Sequence, residues 1–478
     1  MNRRRFLKSA ALSASLPAVA SSAQRPRVLG ITVLPEYIQT EGIDGVLKNL
    51  IERAGATAVA TSPYLMLEAD SKTGSREPPA DAGAGAVRLL DRPLFGKREL
   101  FVTTTPAFAA NKELYQSLRY QPAPPSSYTR KQGQIVRSFV KEARSAGLKV
   151  YLQVQAAIPP GYRVQFGGPQ DDDLPRLPNG KLPQGRVDKN GTLASPHILD
   201  YERALIRDLL EHYPEINGLR PDWPEFPPYS LDSWFLDFSA HAEAAADRLG
   251  LNFKAMRAEA SALYEKLHGG LSNAGLEAMQ KLPEMQVHSF KATLVEEFVA
   301  ELRKTLTSAA GADKELVLNA FPLPWSQISG LDYSRVAKHC QGICSKLYTM
   351  HWTMMLRFYG DQLLKANPGL DSSVVAAALQ RWFQIADGPG LPRLEDYHYP
   401  EPEEPHHFGP LSMAEKIRSA QRMAGDCPVH ALAHGYGPLE DYHKRMSIAW
   451  QASGGSMWVN RYGYLTDEKL SVLKEVCK

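Results

Sequence analysis

The sequence predicts an α/β fold, a single (β/α)8 TIM barrel with long loops on its C-terminal face. Three observations point there. Short apolar runs alternate with helical segments along the chain, the runs number eight, and the longest irregular insertions each follow a run. Strands that alternate with helices imply parallel pairing through right-handed crossovers, and eight such units favour closure over an open sheet. No repeat of solenoid or propeller period is visible.

The β-rich runs occupy 27–34, 57–61, 149–155, 216–221, 315–319, 342–348, 429–433 and 456–460. Between them, apolar residues recur at helical spacing over 43–54, 133–146, 198–212, 295–308 and 411–424. The insertions come after the second, third, fourth and sixth runs. They are a weakly structured Pro/Gly/Ala-rich stretch (71–127), a Gly/Pro/Asp-rich stretch (159–196), several helices (231–308) and a stretch dense in Pro, His, Tyr and Glu (388–409). Barrel enzymes build their sites at the strand ends these loops follow. Loops so long shape a cleft or are disordered, and the aromatic content argues for a cleft.

At 478 residues with 44% hydrophobic content, the chain has ample material for a large core. The net charge of +3 is dispersed, and the one compact basic cluster is Arg3-Arg4-Arg5, so nucleic-acid binding has no electrostatic support. Beyond the N-terminus no apolar run reaches the roughly 18 residues that span a bilayer, so no membrane association is expected after signal cleavage. Asn2-Arg3-Arg4-Arg5-Phe6-Leu7-Lys8 resembles the twin-arginine export motif. An apolar stretch from Ala10 to Ala20 follows, with the small-x-small site Ala18-Val19-Ala20. The expected organisation is a signal peptide over 1–23, engaged by the twin-arginine translocase, and a barrel catalytic domain over 24–478, periplasmic or secreted. Because that route carries folded proteins, the barrel would form before crossing. No Cys follows the apolar stretch, which argues against a lipoprotein anchor.

Four cysteines, Cys340, Cys344, Cys427 and Cys477, allow three pairings, and sequence alone does not choose among them. Small buried residues are the reading favoured over a structural bridge. Cys340 and Cys344 lack a second Cys or His pair at zinc-site spacing.

The segment with most chemistry is Ile216-Asn217-Gly218-Leu219-Arg220-Pro221-Asp222-Trp223-Pro224-Glu225. Two-residue alternation places Gly218, Arg220 and Asp222 on one strand face. If that face is the lumen, Arg220 and Asp222 emerge at the mouth. Glu225 opens a proline-stiffened loop three residues on, within about 10 Å of chain. Such a carboxyl pair suits glycosidic chemistry, in which one carboxylate attacks or stabilises the anomeric carbon and the other donates a proton to the leaving oxygen. Glu36, at the end of the first run, is the next carboxylate in position. In Lys346-Leu347-Tyr348-Thr349-Met350-His351-Trp352, alternation brings Lys346 and Tyr348 to one face, with His351 and Trp352 following. An inward lysine needs a partner, because an unpaired buried ammonium is costly. Aromatics cluster after the runs, among them Trp223, Trp325 and Tyr436. Flat apolar sugar faces pack well on such rings, and Trp325, flanked by Pro322 and Pro324, is the foremost candidate.

The Asp396–His407 stretch mixes carboxylates and imidazoles without a defined ligand set and reads as a solvated lid. Asp171-Asp172-Asp173 lacks the Gly and terminal Glu of a calcium loop and also reads as solvated. No metal or other cofactor is expected. No phosphate-cradling glycine motif follows any run, and no Gly-x-Ser-x-Gly elbow is present.

The strand Gly218-Leu219-Arg220-Pro221-Asp222, preceded by the helix Asp200-Tyr201-Glu202-Arg203-Ala204-Leu205-Ile206-Arg207-Asp208-Leu209, resembles the fourth strand of glycoside-hydrolase-like barrels. These are bacterial families related to the α-amylase-type transglycosidases. Met457-Trp458-Val459-Asn460-Arg461-Tyr462-Gly463-Tyr464 looks like the last strand of such barrels, with Arg461 at its mouth. The resemblance implies that Asp222 is the nucleophile and Arg220 its orienting partner. Two departures stand against a whole transfer. Leu318-Asn319-Ala320-Phe321-Pro322 has no carboxylate where the family's acid stands, and His434-Gly435-Tyr436 replaces its His-Asp. The expectation is an exported glycoside hydrolase using Asp222 and Glu225, acting on a poly- or oligosaccharide. Its rival is a non-catalytic carbohydrate-binding protein on a degenerate barrel.

Overall fold

The computed structural model describes residues 27–80, 82–156, 168–185, 189–387 and 390–478. The export motif, residues 157–167 and 186–188 in and beside the loop that opens at Pro159, and residues 388–389 lie outside the described residues. Eleven strands are described: β1 (Val28–Thr32), β2 (Ala58–Thr61), β3 (Tyr64–Ala69), β4 (Ser75–Glu77), β5 (Leu100–Pro106), β6 (Lys149–Gln155), β7 (Gly218–Asp222), β8 (Glu315–Ala320), β9 (Gly342–Leu347), β10 (Val429–His434) and β11 (Ser456–Asn460). Eight of them close a parallel barrel in the order β1-β11-β10-β9-β8-β7-β6-β2, a (β/α)8 barrel.

All eight runs read from the sequence become barrel strands, with bounds differing by a residue or two. The helical segments fall where expected, though two are longer than the periodicity suggested. The first begins at Pro35 and continues into a π-helical turn, Asn49–Ala54, and another runs the whole of Gln286–Ala310. Helix starts follow their chemistry. Ser195 accepts from the amides of His197 and Ile198 ahead of Pro196–His212, with Pro at the first position.

One expectation fails. The insertion after β2, read as weakly structured, folds a three-stranded antiparallel sheet in the order β3-β5-β4. Its strands are short and separated by turn-rich sequence, so the Pro/Gly/Ala composition masked the apolar run Tyr64-Leu65-Met66-Leu67 and the β-branched run in β5.

The lumen is packed by size complementarity. Ala58, Ala60, Tyr151, Val317, Cys344, Leu432 and Trp458 form a buried cluster separate from the core between barrel and helices. Small residues on β1 and β2 make room for large ones opposite: a Cβ on Gly30 would enter the Trp458 ring, which meets Tyr151 edge-on at 5.6 Å. Gly218 is needed for closer approach, because a Cβ there would strike the main-chain carbonyl of Glu315, its register partner on β8. Main chain cannot rotate away, so Gly218→Ala is expected to destabilise the barrel by about 1–3 kcal/mol, read as a lower urea midpoint at unchanged slope. An unchanged midpoint would show that β7 and β8 can part at no cost.

Candidate functional site

The face of β7 is settled by its contacts. The Arg220 guanidinium donates to Asn319 Oδ1 of β8 at 2.8 Å and to Cys344 Sγ of β9 at 3.4 Å, and it stacks 3.7 Å from the Trp458 ring centroid of β11. Side chains from non-neighbouring strands meet only through the lumen, so Gly218, Arg220 and Asp222 point inward. Asp222 stands above Arg220 at the C-terminal mouth. There it pairs with Lys346 Nζ of β9 at 2.9 Å, across the intervening β8. The lysine's partner demanded by the sequence is thus Asp222. The resemblance cast Arg220 as the orienting group, but its guanidinium is engaged with Asn319, Cys344 and Trp458, and it is Lys346 that forms an ion pair with Asp222.

The pair is nearly dry, the Lys346 side chain being 5% and the Asp222 side chain 16% exposed. Lys346 Nζ also lies 4.4 Å from the Phe321 ring centroid and 5.2 Å from that of Trp223. Trp223 adopts a left-handed backbone, φ 62°, which few bulky residues accept. Its ring stacks on Tyr229 at 5.8 Å. Tyr229 in turn shares a hydrogen bond of 3.1 Å with His351 Nδ1.

Imidazoles and phenols form the neighbouring wall. Burial holds His351 and His434 well below the ordinary histidine value, and the Arg88 charge adds to the effect in both. Both rings are therefore neutral near pH 7. His434 Nδ1 accepts the amide of Tyr436, which leaves the ring proton on Nε2. Tyr348, 5.2 Å from His434 ring to ring, is pushed well above the ordinary phenol value by burial and then by the Asp222 charge. On the other side of the mouth, the Tyr64 hydroxyl donates to Glu36 Oε2 at 3.2 Å. Arg461 lies 4.0 Å from Glu36 Oε1 and is paired with Glu77.

The remaining expected residues sit elsewhere. Glu225 is 0% exposed. Its Oε1 accepts the Phe321 amide at 2.9 Å and its Oε2 the Ser329 hydroxyl at 2.5 Å, tying the loop after β7 to the loop after β8. Burial pushes its carboxyl up to about 7, against the lowering influence of Lys346 and of these hydrogen bonds. Trp325 and Trp352 are in the core rather than the cleft. They stack on each other at 5.4 Å, and Trp325 is 0% exposed, because the short helix after Pro324 turns it under the mouth. Tyr436 is also sealed, its hydroxyl donating to the Pro400 carbonyl at 2.8 Å and so fastening the loop before Pro410–Ala424 to the end of β10.

Sequence reasoning missed Arg88, Glu77 and Tyr64, all from the insertion after β2, where no motif marks them. It also missed Asn319 as the ligand of Arg220, although alternation along β8 could have turned it inward. Asp173, read as solvated, is buried. Its carboxylate takes the Ser195 hydroxyl, Tyr120 OH at 2.5 Å and Arg119 Nη1 at 2.9 Å. Asp173, His197 and His241 bring ligand-type atoms within 4.8 Å of one another. Those hydrogen bonds already occupy the carboxylate, however, and Arg119 opposes a cation.

No protein-family model matches the chain, and no curated protein does. Solved structures with a similar arrangement include the catalytic domain of β-amylase from Paenibacillus polymyxa, at 10% identity and TM-score 0.47 over 93% of this chain and 94% of that one. A class V chitinase from Pseudomonas fluorescens Pf-5 matches at 9% identity and TM-score 0.41 over 95% and 100%. A chitinase from Chromobacterium violaceum matches at 8% and 0.40 over 94% and 99%.

Glu225 gives the wall a pH dependence. Its value in the fold, about 7, lies above the ordinary 4.5. The stability it contributes is therefore fully present below about pH 4.5 and is lost as pH rises through about 7. Relative to Glu225→Gln, which imitates the protonated form, the native protein is expected to lose about 1.4 kcal/mol per pH unit between those values, measured by urea unfolding across the range. A constant difference would mean that the carboxyl ionises as it does in water.

Proposed function

We propose that the protein is an exported glycoside hydrolase, with Asp222 as the carboxylate that attacks or stabilises the anomeric carbon. The observation that carries the reading is the Asp222–Lys346 pair at the C-terminal mouth, partly open to solvent and set beside the strained Trp223. The Lys346 ammonium at 2.9 Å holds the Asp222 carboxyl in place at the mouth, and a carboxylate is the group that a nucleophile or oxocarbenium stabiliser supplies. Neutral His351 and His434 and the protonated Tyr348 supply hydrogen-bonding groups suited to sugar hydroxyls, and Trp223 with Tyr229 supplies the flat apolar surface.

Two carboxyl groups in the wall are candidates for the proton donor. Glu225, with its value near 7, has the acidity a general acid requires, and Glu36 stands in the first turn of the helix that follows β1. A second reading has its own support. Both of these carboxyls are 0% exposed, as expected of a barrel that holds a sugar without cleaving it.

Reducing-sugar release over a glycan panel, paired with glycan binding by calorimetry, separates the two. Asp222→Asn is expected to lower turnover at least about 10²-fold while binding persists. Of Glu225→Gln and Glu36→Gln, the one that removes the donor matches that loss and abolishes the alkaline limb of the pH–rate profile. Absence of turnover on every glycan, with binding intact in the native protein and all three variants, would leave the binding protein standing.

Export by the twin-arginine route is part of the proposal. Replacing Arg3 and Arg4 together by Lys is expected to retain the protein in the cytoplasm, scored by cell fractionation. Undiminished export of that variant would remove this element.

A further inference from the structure

The fold brings one pair of the four cysteines together. Cys340 Sγ lies 3.9 Å from Cys427 Sγ, while Cys344 points into the lumen at Arg220. We propose that Cys340 and Cys427 form a disulfide at the feet of β9 and β10, on the face of the barrel opposite the mouth, once the protein meets a disulfide oxidant.

The backbone prepares the closure. Each cysteine lies two residues before a barrel strand, Gly342 beginning β9 and Val429 beginning β10, and those strands are paired from Ile343↔Val429 onward. The Ile343 amide donates to the Pro428 carbonyl at 2.9 Å, so the two chains are already held side by side where the cysteines enter. The register sets Cys427 one residue out of step with Cys340; an interstrand spacing of about 4.8 Å and a rise of about 3.3 Å put their Cα atoms about 6 Å apart, inside the roughly 4.4–6.8 Å that a disulfide spans. The sulfurs are in contact across this gap, and bond formation asks for side-chain rotation rather than main-chain movement.

The two thiols are unequally placed. Cys427 is half-buried and Cys340 is buried, its thiol raised well above the ordinary value by the contact with Cys427 and by burial. Cys427 is therefore the one that meets an external disulfide. Its thiolate attacks one sulfur, releasing one thiol and leaving a mixed disulfide. Cys340 then loses its proton, attacks the Cys427 sulfur and expels the second thiol. Two electrons and two protons pass to the oxidant, a small-molecule disulfide or a thiol–disulfide oxidoreductase. The bridge closes a long loop, the kind whose closure most restricts the unfolded chain. The proposal is independent of the glycosidase reading.

The test uses the purified full chain treated with oxidised glutathione, then denatured, alkylated and mapped by mass spectrometry. The expected product is one peptide pair joined through Cys340 and Cys427, with Cys344 and Cys477 alkylated. The melting temperature should rise on oxidation and fall back with reductant, and this reversible shift should be absent in Cys427→Ser and in Cys340→Ser. Alkylation of all four cysteines after oxidation, a glutathione adduct on Cys427 that never resolves, or a bridge to another cysteine would each overturn it.

Discussion

Burying a guanidinium inside a barrel is costly unless side chains compensate it, and the mouth of this molecule depends on how they do so. Arg220 is held by Asn319, Cys344 and the face of Trp458, residues from three other strands of the same lumen. That arrangement fixes the floor above which Asp222 and Lys346 pair. The inward alternation of β7 places both Arg220 and Asp222, so a register slip by one residue would turn both out of the lumen. Gly30, Ala58 and Ala60 leave the space that the large side chains fill.

Much of this was legible in the amino-acid order. Period-two alternation gave the facing of Arg220, Asp222, Lys346 and Tyr348, because a strand repeats its geometry every second residue whatever surrounds it. Loops carry no such period. Trp325 and Tyr436 looked like cleft residues because they follow strands, yet the turn after Pro324 and the tether to Pro400 rotate them into the core. Glu225 stands only three residues from Asp222 in sequence, but the left-handed Trp223 redirects the chain and delivers its carboxyl to Phe321 and Ser329. Arg88 and Glu77 reach the mouth through a sheet whose existence the composition concealed.

The wall around Asp222 is assembled from groups whose charge is controlled by burial. Glu225 is driven toward its neutral form, His351 and His434 toward neutral imidazole, and Tyr348 away from phenolate. The Asp222–Lys346 pair is thereby set among neutral side chains above the Arg220 guanidinium, and a low local dielectric strengthens each contact it makes. The strain at Trp223, of order 1–3 kcal/mol for such a conformation, is retained where it aims an aromatic ring at that pair.

The contacts of Arg220 also have a consequence for biosynthesis. Its partners come from β1, β8, β9 and β11, and Trp458, which covers the guanidinium, lies far downstream of it in the chain. Until Trp458 is added, a nascent chain carries an arginine whose apolar cover does not yet exist, so the lumen cannot be completed vectorially from the N-terminus. Closure of this barrel is governed by the slow meeting of residues far apart in the chain.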